Sequence, residues 1–405
     1  MGDFSISQRA ARIQPSATFQ MAARAATLRA EGRTVYDFSA GEPDFRPPTA
    51  VREAAAAYVR DNAIRYTAVA GMPALREAVA AELSAYHGIA IPPARVLVSN
   101  GAKHSILNYL LATLDPGDQV IVPTPAWVSY PDMVRLAEGE AVLVPTTPED
   151  GWRLQPDALA RAIGPRTKLL LLNSPSNPTG AGYREAEIRA LGEVLAQRAP
   201  QAFVLADDIY RMLCYPPHRH VSLVRALADI TDRVVLVDGV SKTYAMTGFR
   251  IGFLAAPEPI IAAATRIQGQ MTSGAATPSQ HAALVALTDR SVPAEVQAMC
   301  EAFARRRDNM LAALASVDTI RIVPPDGAFY TWIDVSRVLG GAVADDLALS
   351  TWLLERHGVA TVAGSAFAGP GHIRLSYATD DASIAAGCAK LCEAFAELER
   401  SRGAR

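Results

Sequence analysis

Five short apolar runs, residues 95–98, 119–122, 168–172, 203–206 and 234–237, alternate with stretches of helix length. Runs of four or five residues rich in Val and Leu are too short for buried helices and read as strands covered on both faces. The alternation predicts an α/β fold around a mostly parallel sheet. Segments 52–59, 74–86 and 105–114 have helical spacing and good helix formers. Turn chemistry follows each run: Ser99-Asn100-Gly101, then Pro123 to Trp127, Asn173 to Gly180, Asp207 with Tyr210, and Ser241-Lys242. Ligands in such sheets bind outside the carboxyl ends of the strands, so these five loops are predicted to share one crevice.

At 405 residues the chain is too long for one compact core, and two domains are expected. After about Ser291 the pattern changes to a long charged helix containing Arg305, Arg306, Arg307 and Asp308, then to strand-like segments 329–335 and 372–377. This predicts a separate α+β domain, on which the first forty-odd residues, including loop 40–45, are expected to pack. The triple arginine reads as a solvated helix face. Half of the residues are apolar and the formal net charge is −2, which leaves no electrostatic footprint for nucleic acid or an acidic membrane and points to small-molecule partners. The chain's four cysteines form no CxxC pair, and Cys388 and Cys392 sit four apart in a predicted helix, where shared packing explains them. The N-terminal stretch carries Arg9, Arg12 and Arg24 without the apolar centre of a signal peptide, and no run approaches a membrane span. A cytoplasmic protein is expected.

Chemistry concentrates at residues 241–250, SKTYAMTGFR, directly after the fifth apolar run. Lys242 lies among small and apolar neighbours that strip water from an ammonium, and desolvation lowers a lysine pKa toward nucleophilicity. Arg250, between Gly248 and Gly252, offers a guanidinium fork to a phosphate. A lysine for an aldehyde and an arginine for a phosphate together suggest pyridoxal phosphate. Asp207 ends an apolar run, where a carboxylate needs a cation, such as a protonated ring nitrogen, or else caps the next helix. Tyr210, one helical turn beyond Asp207, either reaches the same ring or packs in the core. Asn177, in Ser176-Asn177-Pro178-Thr179-Gly180, either aims its amide at the ring's phenolate or only starts a turn. Gly101, Ala102 and Lys103 open a helix after a strand and present backbone N–H groups to an anion. Arg374 in an apolar strand either holds a carboxylate with two parallel bonds or closes a structural salt bridge. Trp127 stacks on a flat ring or sits in the core. No metal is expected.

With these residues in this order and spacing, the chain resembles the class I aminotransferases of the aspartate aminotransferase family, fold-type I pyridoxal 5'-phosphate enzymes, from about Ser16 to the C-terminal helix. The resemblance implies a large domain, residues 47–290, with a mostly parallel seven-stranded sheet, a smaller α+β domain, residues 16–46 plus 291–405, and an N-terminal arm, residues 1–15. It implies that Lys242 bonds the cofactor aldehyde and shuttles the substrate's α-proton. Asp207 would pair with the pyridine nitrogen, Asn177 and Tyr210 would bond the phenolate oxygen, and Trp127 would stack on the ring. Gly101, Ala102, Lys103 and Arg250 lie at or near the family's phosphate positions. Tyr66 matches a tyrosine that reaches the phosphate of the neighbouring subunit, which implies a homodimer with shared active sites. Gly41 and Arg374 would hold the substrate's α-carboxylate, and closure of the small domain over it is expected.

In one bacterial branch of this family, counterparts of Ser16, Thr18 and Lys103 bind the distal carboxylate of aspartate or glutamate, and all three are present here. The arginine that other branches bring from the partner is missing near Ala276, where residues 272–277 are small and polar. The similarity therefore implies transamination between aspartate or glutamate and oxaloacetate or 2-oxoglutarate, with prephenate as a further acceptor. Two departures bear on specificity. Arg46, in Phe45-Arg46-Pro47-Pro48, stands where relatives often have a small acidic residue, and Asp208 stands where glutamate is common. The alternatives are an aromatic or other amino acid aminotransferase, a pyridoxal-dependent β-lyase, and a non-catalytic binding module, against which the intact Lys242 counts.

Overall fold

A computed structural model describes residues 5–13, 15 and 17–403. Its strands are, in chain order, β1 (Tyr36–Asp37), β2 (Val96–Ser99), β3 (Gln119–Thr124), β4 (Glu140–Pro145), β5 (Thr167–Asn173), β6 (Phe203–Asp207) and β7 (Val234–Gly239). They continue with β8 (Gly252–Ala255), β9 (Arg321–Ile322), β10 (Tyr330–Asp334), β11 (Val359–Ala360), β12 (Val362–Ala363) and β13 (His372–Ser376). The main sheet has seven strands in the order β2-β8-β7-β6-β5-β3-β4. All run parallel except β8, which is antiparallel to both β2 and β7.

Alternation of side chains along each strand explains why the apolar runs are continuous. Leu170, Leu172, Val204 and Ala206 enter one core, while Leu169, Leu171 and Leu205, one position away, enter the core on the opposite face. Helices Thr49–Asp61 and Pro73–His87 include two of the predicted segments and extend them at both ends; Ala102–Thr113 begins three residues before the third and ends one residue short of it, at Thr113. Two strands of this sheet were not anticipated by the run pattern. β4 is an edge strand whose Val142 and Val144 pack into the same core as Leu170, while Leu143, on the other side, is 40% exposed. β8 opens at Gly252, where any Cβ would strike the backbone of Ala102, so the glycine lets the strand lie against the start of helix Ala102–Thr113.

A further core surrounds the antiparallel sheet β12-β13-β10-β9 and contains Phe303, Phe329, Leu375, Leu391 and Phe395. Phe38 belongs to this core, and β1 pairs in parallel with β11, so the N-terminal segment packs on the C-terminal part of the chain. Helix Val292–Leu314 joins the two halves: Val292 and Val296 enter the main-sheet core, whereas Phe303, Met310 and Leu314 enter the second. Its triple arginine is not a solvated face. Arg306 is 7% exposed, donates two hydrogen bonds to Asp44 at 2.8 and 3.0 Å, and lies 5.0 Å from the Phe45 ring centre. One of three consecutive helical positions must turn inward, and an acidic residue with an adjacent aromatic ring on the facing loop gives the guanidinium a partner there. The four cysteines are free, with Cys388 buried in helix Asp381–Gly403. Among the described residues no helix is long and apolar enough to cross a membrane.

Candidate active site

The five predicted loops do converge. β7 ends at Gly239 and passes into the helical turn Val240–Thr243, which presents Lys242. The Lys242 amine donates a 2.6 Å hydrogen bond to the carbonyl of Gly41, a residue distant in sequence. The residue is only half-buried, yet protein atoms crowd the amine. Desolvation lowers its pKa to about 8, opposed by the charge of Glu42.

The carboxylate of Asp207, at the end of β6, is 3% exposed and accepts a 2.6 Å hydrogen bond from the Tyr130 hydroxyl and a 3.3 Å bond from the Ile209 N–H. Burial raises its pKa to about 7, and the Tyr130 bond works in the opposite direction. No helix follows Asp207. The chain makes successive turns, with Arg211 N–H bonded to Asp208 and Leu213 N–H to Tyr210, because it leaves the sheet here to enter the second core. Tyr210 is therefore not stacked one helical turn above Asp207, and its hydroxyl shares a 2.9 Å bond with that of Tyr330.

Asn177 follows β5 in a loop fixed by its own N–H, which donates 2.9 Å to the Asn173 side chain, while Asn173 donates 2.8 Å to the Asp207 carbonyl. Arg374, in β13, donates to Asn177 Oδ1 at 3.1 Å and to the Ser39 carbonyl at 2.7 Å. Its guanidinium lies 4.4 Å from the Tyr330 ring centre and 5.0 Å from that of Phe367. Arg374 is 1% exposed, its Nε has no partner, and no carboxylate among the described residues pairs with it. The structural salt bridge is thereby eliminated. A buried guanidinium without a counter-ion invites an anionic ligand.

Gly101, at φ +89°, precedes helix Ala102–Thr113, and a Cβ there would collide with the Arg250 guanidinium. Arg250 adopts a left-handed conformation, φ 56°, and donates 3.0 Å to the Thr247 carbonyl. Helix N-terminus and guanidinium thus meet at one point suited to an anion. The Lys103 side chain is exposed, but its amine lies 4.8 Å over the Trp127 ring, and its pKa is lowered first by desolvation and then by Arg250. The Trp127 and Tyr130 rings meet at 87°, centroids 5.2 Å apart.

Other expected residues stand apart. Tyr66 is 95% exposed. Thr18 is half-buried in helix Ala17–Ala30, whose first residue packs against the cluster of Trp152, Trp332 and Phe367 beside Arg374. Ser16 lies outside the described residues. Arg46 is exposed. Asp208 does not face the cleft: its carboxylate is buried 3.2 Å from His220 and 3.8 Å from His87, which hold its pKa down against burial. Sequence reasoning missed Tyr130, Tyr330 and Asn173. Tyr130 stands three residues after Trp127 and Asn173 closes the third apolar run, so position alone marked them; nothing in the sequence marked Tyr330.

A family model described as aminotransferase class I and II matches residues 33–391. The chain belongs to this family. The aspartate/prephenate aminotransferase of Nitrosomonas europaea is 41% identical over 384 residues, covering 92% of this chain and 95% of that one. The protein of the same name from Cereibacter sphaeroides is 42% identical over 393 residues, covering 95% and 97%. The solved aspartate aminotransferase of Rhizobium meliloti superposes with a TM-score of 0.92 at 38% identity, covering 97% of this chain and 99% of that one. That of Thermus thermophilus, solved with maleate, gives 0.91 at 38% identity, covering 96% and 99%. In this aminotransferase the fold-type I architecture thus carries Lys242, Asp207, Asn177 and Arg374 into one crevice at the strand ends.

Proposed function

We propose that this aminotransferase uses pyridoxal 5'-phosphate to move the amino group between aspartate or glutamate and oxaloacetate or 2-oxoglutarate, with prephenate as a further acceptor. The observation that carries the reading is Arg374: a buried guanidinium without a carboxylate partner among the described residues, facing the same crevice as a lysine of lowered pKa. The residues fit the cofactor. Asp207 is a buried acid without a cationic partner among the described residues, which a protonated ring nitrogen would ionise. The glycine at 101 leaves the Arg250 guanidinium free to meet a phosphate beside the N-termini of Ala102 and Lys103. Trp127 would cover one ring face, and Asn177 and Tyr210 would bond the phenolate oxygen. When bound, pyridoxal phosphate supplies an aldehyde for amines and a ring that accepts the electron pair freed at the substrate's α-carbon.

The chain's own residues do the rest. Arg374 and Gly41 orient the α-carboxylate, and Lys242 Nζ, released from the Gly41 carbonyl, takes the α-proton and returns it. Ser16, Thr18 and Lys103 would hold the distal carboxylate. Tyr66, exposed in the single chain, would reach the phosphate of a second copy in a homodimer. We divide the chain into an arm, residues 1–15, a large domain, residues 47–290, and a small domain, residues 16–46 plus 291–405, which closes over the substrate. The names of the relatives from Nitrosomonas europaea and Cereibacter sphaeroides support the substrate class, as does the lack of an arginine within residues 272–277.

A panel of amino donors assayed against 2-oxoglutarate, oxaloacetate and prephenate, with Lys242→Ala as the blank, tests the reading. Transfer from aspartate and glutamate that vanishes in the blank is expected. Full activity in the blank, or release of pyruvate from a cysteine thioether without an acceptor, would overturn it.

A further inference from the structure

We infer that Glu42 is a positioning residue that ties the loop holding the substrate carboxylate to the turn presenting Arg250, and keeps a negative charge beside the Lys242 amine. The inference rests on the reading of Lys242 as the amine that bonds the cofactor. Glu42 accepts a 2.7 Å hydrogen bond from the Thr247 hydroxyl, and the Thr247 carbonyl in turn accepts the 3.0 Å bond from Arg250. The residue before it, Gly41, accepts the Lys242 bond, and Asp44, two residues after it, is clamped by Arg306. Loop 40–45 is therefore fastened at three successive points, to the lysine, to the Arg250 turn and to helix Val292–Leu314. Glu42 is the middle fastening and the one that joins the Gly41 segment to the turn presenting Arg250.

Its charge has a second consequence. Among the described residues Glu42 has no arginine or lysine within ion-pair distance, its one hydrogen bond comes from a neutral hydroxyl, and it is exposed. The charged groups that act on Lys242 are Glu42, Arg250, Arg374 and Asp207, with the Phe329 ring centre 5.9 Å away and the Tyr330 hydroxyl also under the influence of Glu42. Two of these are cations that oppose a proton on Lys242. In the loaded enzyme Asp207 is committed to the ring nitrogen, so Glu42 remains as the carboxylate whose charge favours the protonated state at Lys242. Asp44 is occupied by Arg306, and Arg46 is exposed at the outer end of the loop.

Absorbance titration of the cofactor-loaded enzyme tests this, because the cofactor's colour reports the protonation state at its bond to Lys242. Relative to wild type, Glu42→Gln keeps an acceptor for Thr247 but loses the charge, and its titration midpoint is expected to fall by about half to one pH unit at low salt. The shift should shrink in high salt, since the group is exposed. Thr247→Val keeps the charge but breaks the tether, and is expected to raise KM for amino and oxo acids about three- to tenfold with a smaller change in midpoint. Glu42→Asp should restore most of the midpoint. A wild type that titrates while Glu42→Gln gives the same midpoint, or a Thr247→Val enzyme with unchanged KM, would overturn the inference. A wild type without any cofactor band would instead defeat the reading of Lys242 itself.

Discussion

The two sides of the cleft are built differently. On the strand-end side, Asp207 and Arg374 are 3% and 1% exposed, and Asp207, Asn177, Arg374 and Lys242 are held by hydrogen bonds that link β5, β6, β13 and loop 40–45. On the rim side, Lys103 and Arg46 are exposed and Thr18 is half-buried near the start of a helix that begins at Ala17. A sheet end tied by hydrogen bonds fixes geometry, whereas exposed or half-buried side chains such as Lys103, Arg46 and Thr18 can change at little cost to the core. Under the proposed assignment, the contrast places the reaction in the fold and the choice of substrate on its edge.

Substitutions on the two sides should separate accordingly. The largest effect is expected for Lys242→Ala, a loss of kcat by roughly 10⁴-fold or more, measured by steady-state transamination with the Thr18→Ala enzyme alongside. Arg374→Lys keeps the charge but loses the fork and should raise KM about 10- to 100-fold for every substrate, since the α-carboxylate is common to all of them. A loss confined to dicarboxylates would break the division. Arg306→Met removes the partner of Asp44 and should cost roughly 1–3 kcal/mol in denaturant unfolding while raising KM, because loop 40–45 loosens. Thr18→Ala should give the smallest change, about two- to fivefold in KM, for dicarboxylates but not for aromatic donors.

The buried acid adds a pH signature. Asp207 has its folded-state pKa raised to about 7, above the ordinary carboxylate range, so the native protein binds the extra proton between about pH 4 and 7. In the cofactor-free protein, stability should therefore fall as pH rises through that window. Lys242, lowered to about 8, has the opposite sign: stability should rise with pH between about 8 and 10. Chemical denaturation of wild type and Asp207→Asn across pH 4–7 checks the first part, and a wild-type profile no steeper than the variant's would contradict it.

The strand-end side was legible because its signals are repeated: five apolar runs each followed by a polar turn, with Asp207 directly behind one of them and Lys242 five positions behind another. What remained hidden was pairwise. Tyr130 bonds Asp207 across 77 positions and Tyr330 meets Tyr210 across 120, and a single tyrosine announces neither. Arg306 looked like the exposed Arg305 beside it because the loop that neutralises it lies 262 positions away at Asp44. The turn after Asp207 was misjudged as helical since short-range spacing cannot foresee a chain leaving one core for another. β4 was missed although residues 141–144, Ala-Val-Leu-Val, form an apolar run as long as the others, because no polar turn with recognisable chemistry follows it before Thr146-Thr147-Pro148.

The central claim is that Lys242 carries the cofactor, and the sequence makes it directly measurable, because the chain contains only four lysines, Lys103, Lys168, Lys242 and Lys390. Borohydride reduction of the loaded protein followed by mass mapping of its peptides should place the added pyridoxyl phosphate mass on the peptide containing Lys242, at close to one per chain, and on none in Lys242→Ala. Labelling of Lys103 or another lysine in its place, at the same stoichiometry, would contradict the account.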